Sequence, residues 1–347
     1  DQMTDAGGAS LSETVFYSRK GNSVAVPSEW FKSGAQALGL SRGEMDHKLL
    51  ERAKSTGVMV LQEAHAALLI QEDGQVCGVR VKTRDAMGDG FTDYRALVTI
   101  DATGRVRALA RHVDPESDQD RSMGKKTTKP TMVAFKAHVA NAQVADGACE
   151  IYFYPGGYGG LSRIEGGLSN LCFIVSANDV RRHGSDPEIV LREIVRQNSR
   201  ANHTLAEARV CTRWLSVSLE GFGPRDPSPA RGLLTVGDAA AFIDPFTGSG
   251  MLMALESGLS AAEIIARHLG MLRKNASFES LASEYRTEYS KRFYRRLRIA
   301  GLLRRAAFVP RLCEAAILIC GTSSSLRRTL ARATRHSSSR EVTAPTS

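Results

Sequence analysis

The alternation of apolar and polar residues divides the chain into stretches of different period. Met45, Leu49, Leu50 and Ala53 recur at three- and four-residue spacing behind Ser41, which predicts an amphipathic helix capped by that serine and ended at Gly57. Residues 58–61 read as a buried strand after it. Residues 67–70, 76–82 and 94–100 read as three more, joined by turns at Glu72-Asp73-Gly74 and Met87-Gly88-Asp89-Gly90. The polar, lysine-bearing stretch 117–130 reads as a crossing between lobes. Beyond it the period becomes two: residues 132–139, 150–154, 161–165 and 168–175 are expected as strands of a mostly antiparallel lobe with glycine-rich turns, followed by a helix over 186–198. Residues 221–229, with three of the eleven prolines, read as a return linker. Residues 232–236 read as a short buried strand, and 252–269 as a long helix.

Near the C-terminus, Phe278, Leu281, Tyr285, Tyr289, Phe293, Leu297 and Ala300 form one helical stripe, with Pro310 as its stop. Residues 312–320 are short and apolar between arginines. This segment reads either as a helical cover with a solvated basic face, the reading favoured here, or as a basic element lying on an anionic membrane.

Composition changes this picture in two places. The net charge of +9 resides in the tail: from Lys291 onward there are 13 Lys and Arg residues against Glu314 and Glu341, while the remainder is slightly acidic. With only 6% aromatic residues, the main body has no basic, aromatic-studded face of the kind that binds nucleic acid. Six scattered cysteines without a C-x-x-C pair, and eight histidines without a ligand cluster, point to reduced thiols in a cytoplasmic compartment and to no metal. No apolar run is long enough for a membrane span.

The chemistry concentrates in Gly237-Asp238-Ala239-Ala240-Ala241-Phe242-Ile243-Asp244-Pro245-Phe246-Thr247-Gly248-Ser249-Gly250-Met251, which joins a strand to the long helix. Gly237 lets the backbone approach a ligand, and Asp238 at a strand's carboxyl end can accept hydrogen bonds from sugar or polyol hydroxyls. Gly248, Ser249 and Gly250 leave backbone N–H groups at a helix N-terminus, where partial positive charge favours an anion.

This run closely resembles the G-D motif of FAD-dependent oxidoreductases with the aromatic-hydroxylase type of fold, a group of monooxygenases, geranylgeranyl reductases and flavin halogenases. The resemblance implies that Asp238 holds the FAD ribityl chain, that Pro245 lies beside the isoalloxazine, and that amides near Gly250 and Met251 face its N1/C2 carbonyl edge. Asp101-Ala102-Thr103-Gly104-Arg105 is similar to the strand-end turn that passes FAD, in the A-T-G-R form of the reductase and halogenase branches, and assigns Thr103 and Gly104 to the cofactor. Arg42, four residues before Asp46, matches the family's R-x-x-x-D and would reach the cofactor. Tyr152, Tyr154 and Tyr158, in an aromatic-proline-glycine stretch, would line a substrate pocket. The plain alternatives are tight packing at the glycines, a solvated Arg42 and core packing for the tyrosines. No residue stands out as a general acid or base.

The fold expected is α/β: a discontinuous Rossmann-like FAD-binding lobe (41–127 and 231–272), an inserted β-rich substrate lobe (128–230, with 1–40 on its side) and a helical C-terminal region with a basic tail (273–347). The resemblance begins partway through the family pattern. Its opening G-x-G-x-x-G does not occur, and the chain is expected to be N-terminally truncated. The function implied is an FAD oxidoreductase, with NADH or NADPH as donor and a hydrophobic, lipid-like or aromatic small molecule as substrate. Monooxygenase or halogenase activity is the nearest alternative. An inactive flavin-fold remnant or membrane-associated binding protein is the alternative of another class. A location in the cytoplasm, with contact to the inner face of a membrane through the basic tail, completes the expectation.

Overall fold

A computed structural model describes residues 3–31, 36–85, 88–114, 132–219, 222–274, 277–307 and 310–334. In chain order the strands are β1 (Ala9–Leu11), β2 (Glu13–Tyr17), β3 (Ser23–Pro27), β4 (Ala37–Gly39), β5 (Ala64–Glu72), β6 (Gln75–Asp85), β7 (Gly88–Arg95), β8 (Thr99–Asp101), β9 (Met132–Ala140), β10 (Ala148–Tyr154), β11 (Gly157–Arg163), β12 (Ser169–Ser176), β13 (Arg209–Val210), β14 (Leu215–Leu219), β15 (Gly223–Pro224), β16 (Leu233–Thr235) and β17 (Ala241–Phe242). The helices are α1 (Arg42–Ser55), α2 (Ala177–Arg182), α3 (Pro187–Glu193), α4 (Ser199–Thr204), α5 (Gly250–Leu272), α6 (Phe278–Ala307), α7 (Pro310–Thr322) and α8 (Ser324–Thr334). They form two compact units. The first holds Asp1–Val58, Lys129–Glu220 and Leu302–Ser347, and the second Met59–Thr128 and Gly221–Gly301.

The first unit is built on a sheet ordered β13-β9-β12-β11-β10-β2-β3, with β14 also on β9. Its members are antiparallel except for the parallel pair β10 and β2. One face carries Tyr152, Tyr154, Leu161, Leu171, Phe173, Val175 and Phe135 in a core shared with Val180, Val190, Ile194, Val195, Ala201 and Leu205 of the short helical segments. These helices are well capped. The Ser176, Asp186 and Asn198 side chains each accept backbone N–H bonds at a helix start.

Glu150, fully buried, sits within this core and is saturated with donors. Arg200 grips Oε1 through Nε (3.0 Å) and Nη2 (2.6 Å), while Tyr152 Oη (2.6 Å) and Thr204 Oγ1 (2.9 Å) donate to Oε2. Burial, then the Glu150 charge, push the Tyr152 phenol well above its ordinary range.

The second unit combines the antiparallel sheet β5-β6-β7, the parallel pair β8 and β16, and the small pair β15 and β17. Its largest core joins Leu234, Val236, Ile243, Met253 and Ile264 to Phe278, Leu281, Tyr285, Tyr289, Phe293 and Ala300. The stripe read along 278–300 packs into this core.

Several expectations need correction. Residues 58–61 are irregular and pair with no strand among the described residues; Val58, Met59 and Leu61 are 54%, 73% and 44% exposed. An apolar run becomes a strand only where a ladder partner lies beside it, and among the described residues β8 pairs with β16 alone. Gly88–Gly90, expected in a turn, belong to β7 and are registered against Asp85, Arg84 and Thr83, while Met87 lies outside the described residues. The strand expected at residue 161 begins at Gly157, and the helix expected over 186–198 stops at Glu193 before a 3-10 turn at Val195–Gln197. The crossing at 117–130 lies outside the described residues.

Gly157 shows why a glycine run continues as strand. A Cβ there would lie 2.0 Å from the Ile174 carbonyl oxygen and 2.7 Å from the Tyr154 ring, whose hydroxyl donates to that same carbonyl at 3.0 Å.

Replacing Glu150 by Ala strands Arg200 and two hydroxyls. Loss of one partner of a buried pair costs about 3–5 kcal/mol. A drop of that size in the stability of Glu150→Ala is expected in urea titrations of the first unit's transition.

Candidate functional site

The second unit assembles its site at the carboxyl ends of two parallel strands. β8 and β16 pair with Thr235 opposite Asp101, so both chains leave the ladder in the same direction. Each turns at once into a 3-10 segment, Gly104–Val106 after β8 and Gly237–Ala239 after β16, and these two turns touch. Thr103, Gly104, Gly237 and Asp238 are thereby brought together, although more than 130 residues separate the two turns in sequence.

Asp101 shapes the first turn. Its fully buried carboxylate accepts from Thr103 N (2.9 Å) and Oγ1 (2.6 Å) through Oδ1, and from Leu109 N (3.2 Å) and Ala110 N (2.7 Å) through Oδ2. Thr103 Oγ1 in turn accepts from Ala108 N at 2.7 Å. The backbone is thus wound so that Gly104, at φ +73°, stands in open space with nothing near its missing side chain. Arg107 closes the turn with a left-handed φ of +50°, and its buried guanidinium pairs with buried Asp114.

The second turn is pressed against α5. Gly237 has φ +58°, and a Cβ there would meet Ala254 Cβ at 3.1 Å. Its N–H donates to Ser257 Oγ at 2.8 Å, and Ser257 Oγ donates to the Ala254 carbonyl at 3.0 Å. Asp238 is half-buried at the strand end.

Further along, Asp244 caps the 3-10 turn Pro245–Thr247 by accepting from Phe246 N at 2.9 Å, and Gly248 takes a left-handed φ of +61°. Pro245 and Gly248 are exposed, Ser249 is buried, and Met251 is exposed. α5 begins at Gly250 without a side-chain cap from Ser249, leaving its first-turn amides to other acceptors.

The remaining predicted residues lie in the first unit. Arg42 opens α1 and forms a fork with Asp46 (Nη2 to Oδ2 3.0 Å), both more than half exposed, a pair of little energetic weight. Tyr152 and Tyr154 are buried with their hydroxyls committed to Glu150 and to the Ile174 carbonyl, and Tyr158 is buried as well. Core packing accounts for Tyr152 and Tyr154.

Asp101 is the residue that motif reading passed over as a site residue. Its signal was an acid ending an apolar strand with Thr two positions on, the signature of a side chain that folds its own following turn.

The site's groups fit a dinucleotide with a polyol chain. A half-buried carboxylate stands at a strand end, two glycine turns admit close backbone approach, and a helix start lacks a side-chain cap from its N-cap serine.

Comparison with known proteins agrees with this geometry. Residues 40–280 match the FAD binding domain family. The chain is 26% identical over 294 residues to digeranylgeranylglycerophospholipid reductase 2 of Methanopyrus kandleri, covering 82% of this chain and 67% of that protein. It is 29% identical over 235 residues to the digeranylgeranylglycerophospholipid reductase of Methanocella arvoryzae, covering 65% and 54%. The chain thus spans roughly half to two thirds of these relatives' length.

Among solved structures it shares its fold with a geranylgeranyl bacteriochlorophyll reductase-like protein from Thermoplasma acidophilum (TM-score 0.72, 21% identity, 94% of this chain and 80% of that one). It does so equally with a flavin-dependent brominase (TM-score 0.70, 18% identity, 96% and 78%).

If Asp101 organises the turn, Asp101→Ala should expose the Leu109 and Ala110 amides. Each buried donor left unpaired costs about 1–3 kcal/mol, and hydrogen exchange at these two positions should accelerate at least tenfold relative to the β5–β6 ladder. With the match extending over 241 of 347 residues and the strand-end turns in place, the chain belongs to the FAD binding domain family.

Proposed function

We propose that the chain is the flavin-holding and substrate-handling part of a reductase that saturates carbon–carbon double bonds in an isoprenoid, lipid-like molecule, with NADH or NADPH as electron source. The observation that supports the reading is the pair of touching turns at the ends of β8 and β16, one beginning at Gly104 and the other carrying Asp238. In this reading Asp238 accepts hydrogen bonds from the ribityl hydroxyls, the Gly104 and Gly237 backbones allow close approach, and the first amides of α5 face the electron-rich edge of the ring system. When bound, FAD supplies hydride transfer, and the protein supplies orientation and electrostatics. The reductase relatives support this choice of substrate class.

A monooxygenase or halogenase reading draws on the same fold. The sequence lacks the W-x-W-x-I-P run of tryptophan halogenases, and its A-T-G-R turn resembles the reductase and halogenase branches rather than the aromatic hydroxylases.

Contact with a membrane belongs to the same reading. In the first unit α7 leaves Leu312, Leu318 and Ile319 exposed while Cys313 and Ile317 are buried. Among the described residues, no helix is long and apolar enough to cross a membrane. A lipid substrate would be collected at the surface by such a face.

Two measurements on the full-length protein test the proposal. Asp238→Ala should raise the FAD dissociation constant about ten- to hundredfold, the cost of a lost charged hydrogen bond; unchanged retention after dialysis removes the assignment. Incubated with reduced nicotinamide and a geranylgeranyl lipid without oxygen, the wild-type protein should yield product carrying two more hydrogens per double bond. A product that forms only with oxygen, or only with oxygen and halide, would favour the second reading.

In co-sedimentation, binding to anionic liposomes should be strong at low salt and fade as salt rises. Equal pelleting with neutral vesicles would argue for a purely structural tail.

A further inference from the structure

α6 presents a ladder of aromatic residues to the core of the second unit. Tyr285, Tyr289 and Phe293 follow one another at single-turn spacing, with ring centroids 5.9 and 4.7 Å apart. All three are buried. The two tyrosines are treated differently. Tyr285 Oη donates to the Thr235 carbonyl at 2.9 Å, fixing the last residue of β16 two positions before Gly237. Tyr289, one turn further along the same face, has a hydroxyl sealed from water with no hydrogen-bond partner among the described residues.

Such a donor is a liability for the folded chain unless something makes use of it. The core that encloses Tyr289 also holds Val236 and Ala240, two residues before and two after Asp238 in the chain. After burial, the one cause that raises the Tyr289 phenol is the carboxylate of Asp238. The neighbour of Tyr285 along β16 is therefore the strand's end, and the charged neighbour of Tyr289 is the residue just beyond it.

We propose that Tyr289 is a positioning residue for Asp238: when the polyol chain of the flavin is drawn to the carboxylate, the Tyr289 hydroxyl donates to Asp238 and holds it in the orientation that accepts the ligand's hydroxyls. The proposal rests on the assignment of Asp238 to the ribityl chain. A short hydroxyl–carboxylate bond in a dry setting is of the strong, charge-assisted kind. It orients one carboxylate oxygen inward and leaves the other for the ligand. Tyr285 contributes by anchoring the strand end from which Asp238 projects.

A double-mutant cycle on the full-length protein tests this, with the FAD dissociation constant and the thermal midpoint of the apoprotein as readouts. Tyr289→Phe keeps the ring and its packing on Tyr285 and Phe293, so the apoprotein midpoint should be unchanged or raised. The dissociation constant should rise about tenfold in the wild-type background. In the Asp238→Ala background the same substitution should change it less than twofold, because the group it positions is gone. An unchanged constant for Tyr289→Phe, or an equal rise in both backgrounds, overturns the role of Tyr289 while leaving Asp238 in place. If Asp238→Ala alone leaves FAD binding intact, the assignment of Asp238 fails and the proposal fails with it.

Discussion

A carboxylate at the end of a buried strand has no water to solvate it, and the chain must bring donors to it or leave the strand unfinished. At Asp101 the donors come from the chain's own next nine residues: two backbone amides at Leu109 and Ala110, and the amide and hydroxyl of Thr103. That demand forces the backbone to leave β8 in a tight turn. The turn rests against the one after β16, and the Val236 amide bonds the Asp101 carbonyl at 3.1 Å. The first unit answers the same demand differently. Glu150 lies in mid-sheet, where backbone amides are already used in the ladder, and a guanidinium and two hydroxyls serve it instead. Backbone amides and one hydroxyl serve Asp101, whereas a guanidinium pairs with Glu150.

The features legible in the sequence were those fixed by near neighbours. Ser41 accepts from Glu44 N as its place before a 3.6-period stretch predicted, and α5 and the buried stripe of α6 follow their periods. The G-D run and the A-T-G-R turn could each be read from their own residues, but their adjacency comes from the pairing of β8 with β16, which no local pattern encodes. Residues 58–61 failed because apolar content does not supply a ladder partner. The proline and glycine around Tyr152 and Tyr154 do not show what holds their hydroxyls: Glu150, itself fixed by the distant Arg200 and Thr204, for one, and the Ile174 carbonyl for the other. Asp101 is visible as a letter in a motif, and its role emerges only when the donors to its carboxylate are counted.

Charge in the tail carries a similar lesson. Counted along the sequence, its arginines form a basic patch, yet in α8 three of them are spent on the fold. Arg327 donates to the Ala25 carbonyl and Arg332 to that of Trp30, both at 3.2 Å, while the Arg327 and Arg328 guanidinia stand 5.7 and 5.3 Å from the Trp30 ring centre. Cation–π pairs of this kind fasten a helix that its own apolar residues bury only in part.

That clasp has an optical corollary. The chain has two tryptophans, and both lie in the first unit: Trp30 under the tail arginines, and Trp214 edge-on to Phe173 at 5.5 Å in the sheet core. Tryptophan emission from this chain is therefore a one-sided signal. It registers the seating of α8 and the packing of the sheet, and it carries no chromophore of its own from the unit that contains Asp101 and Asp238. A denaturation curve followed only by that emission would describe half of the molecule.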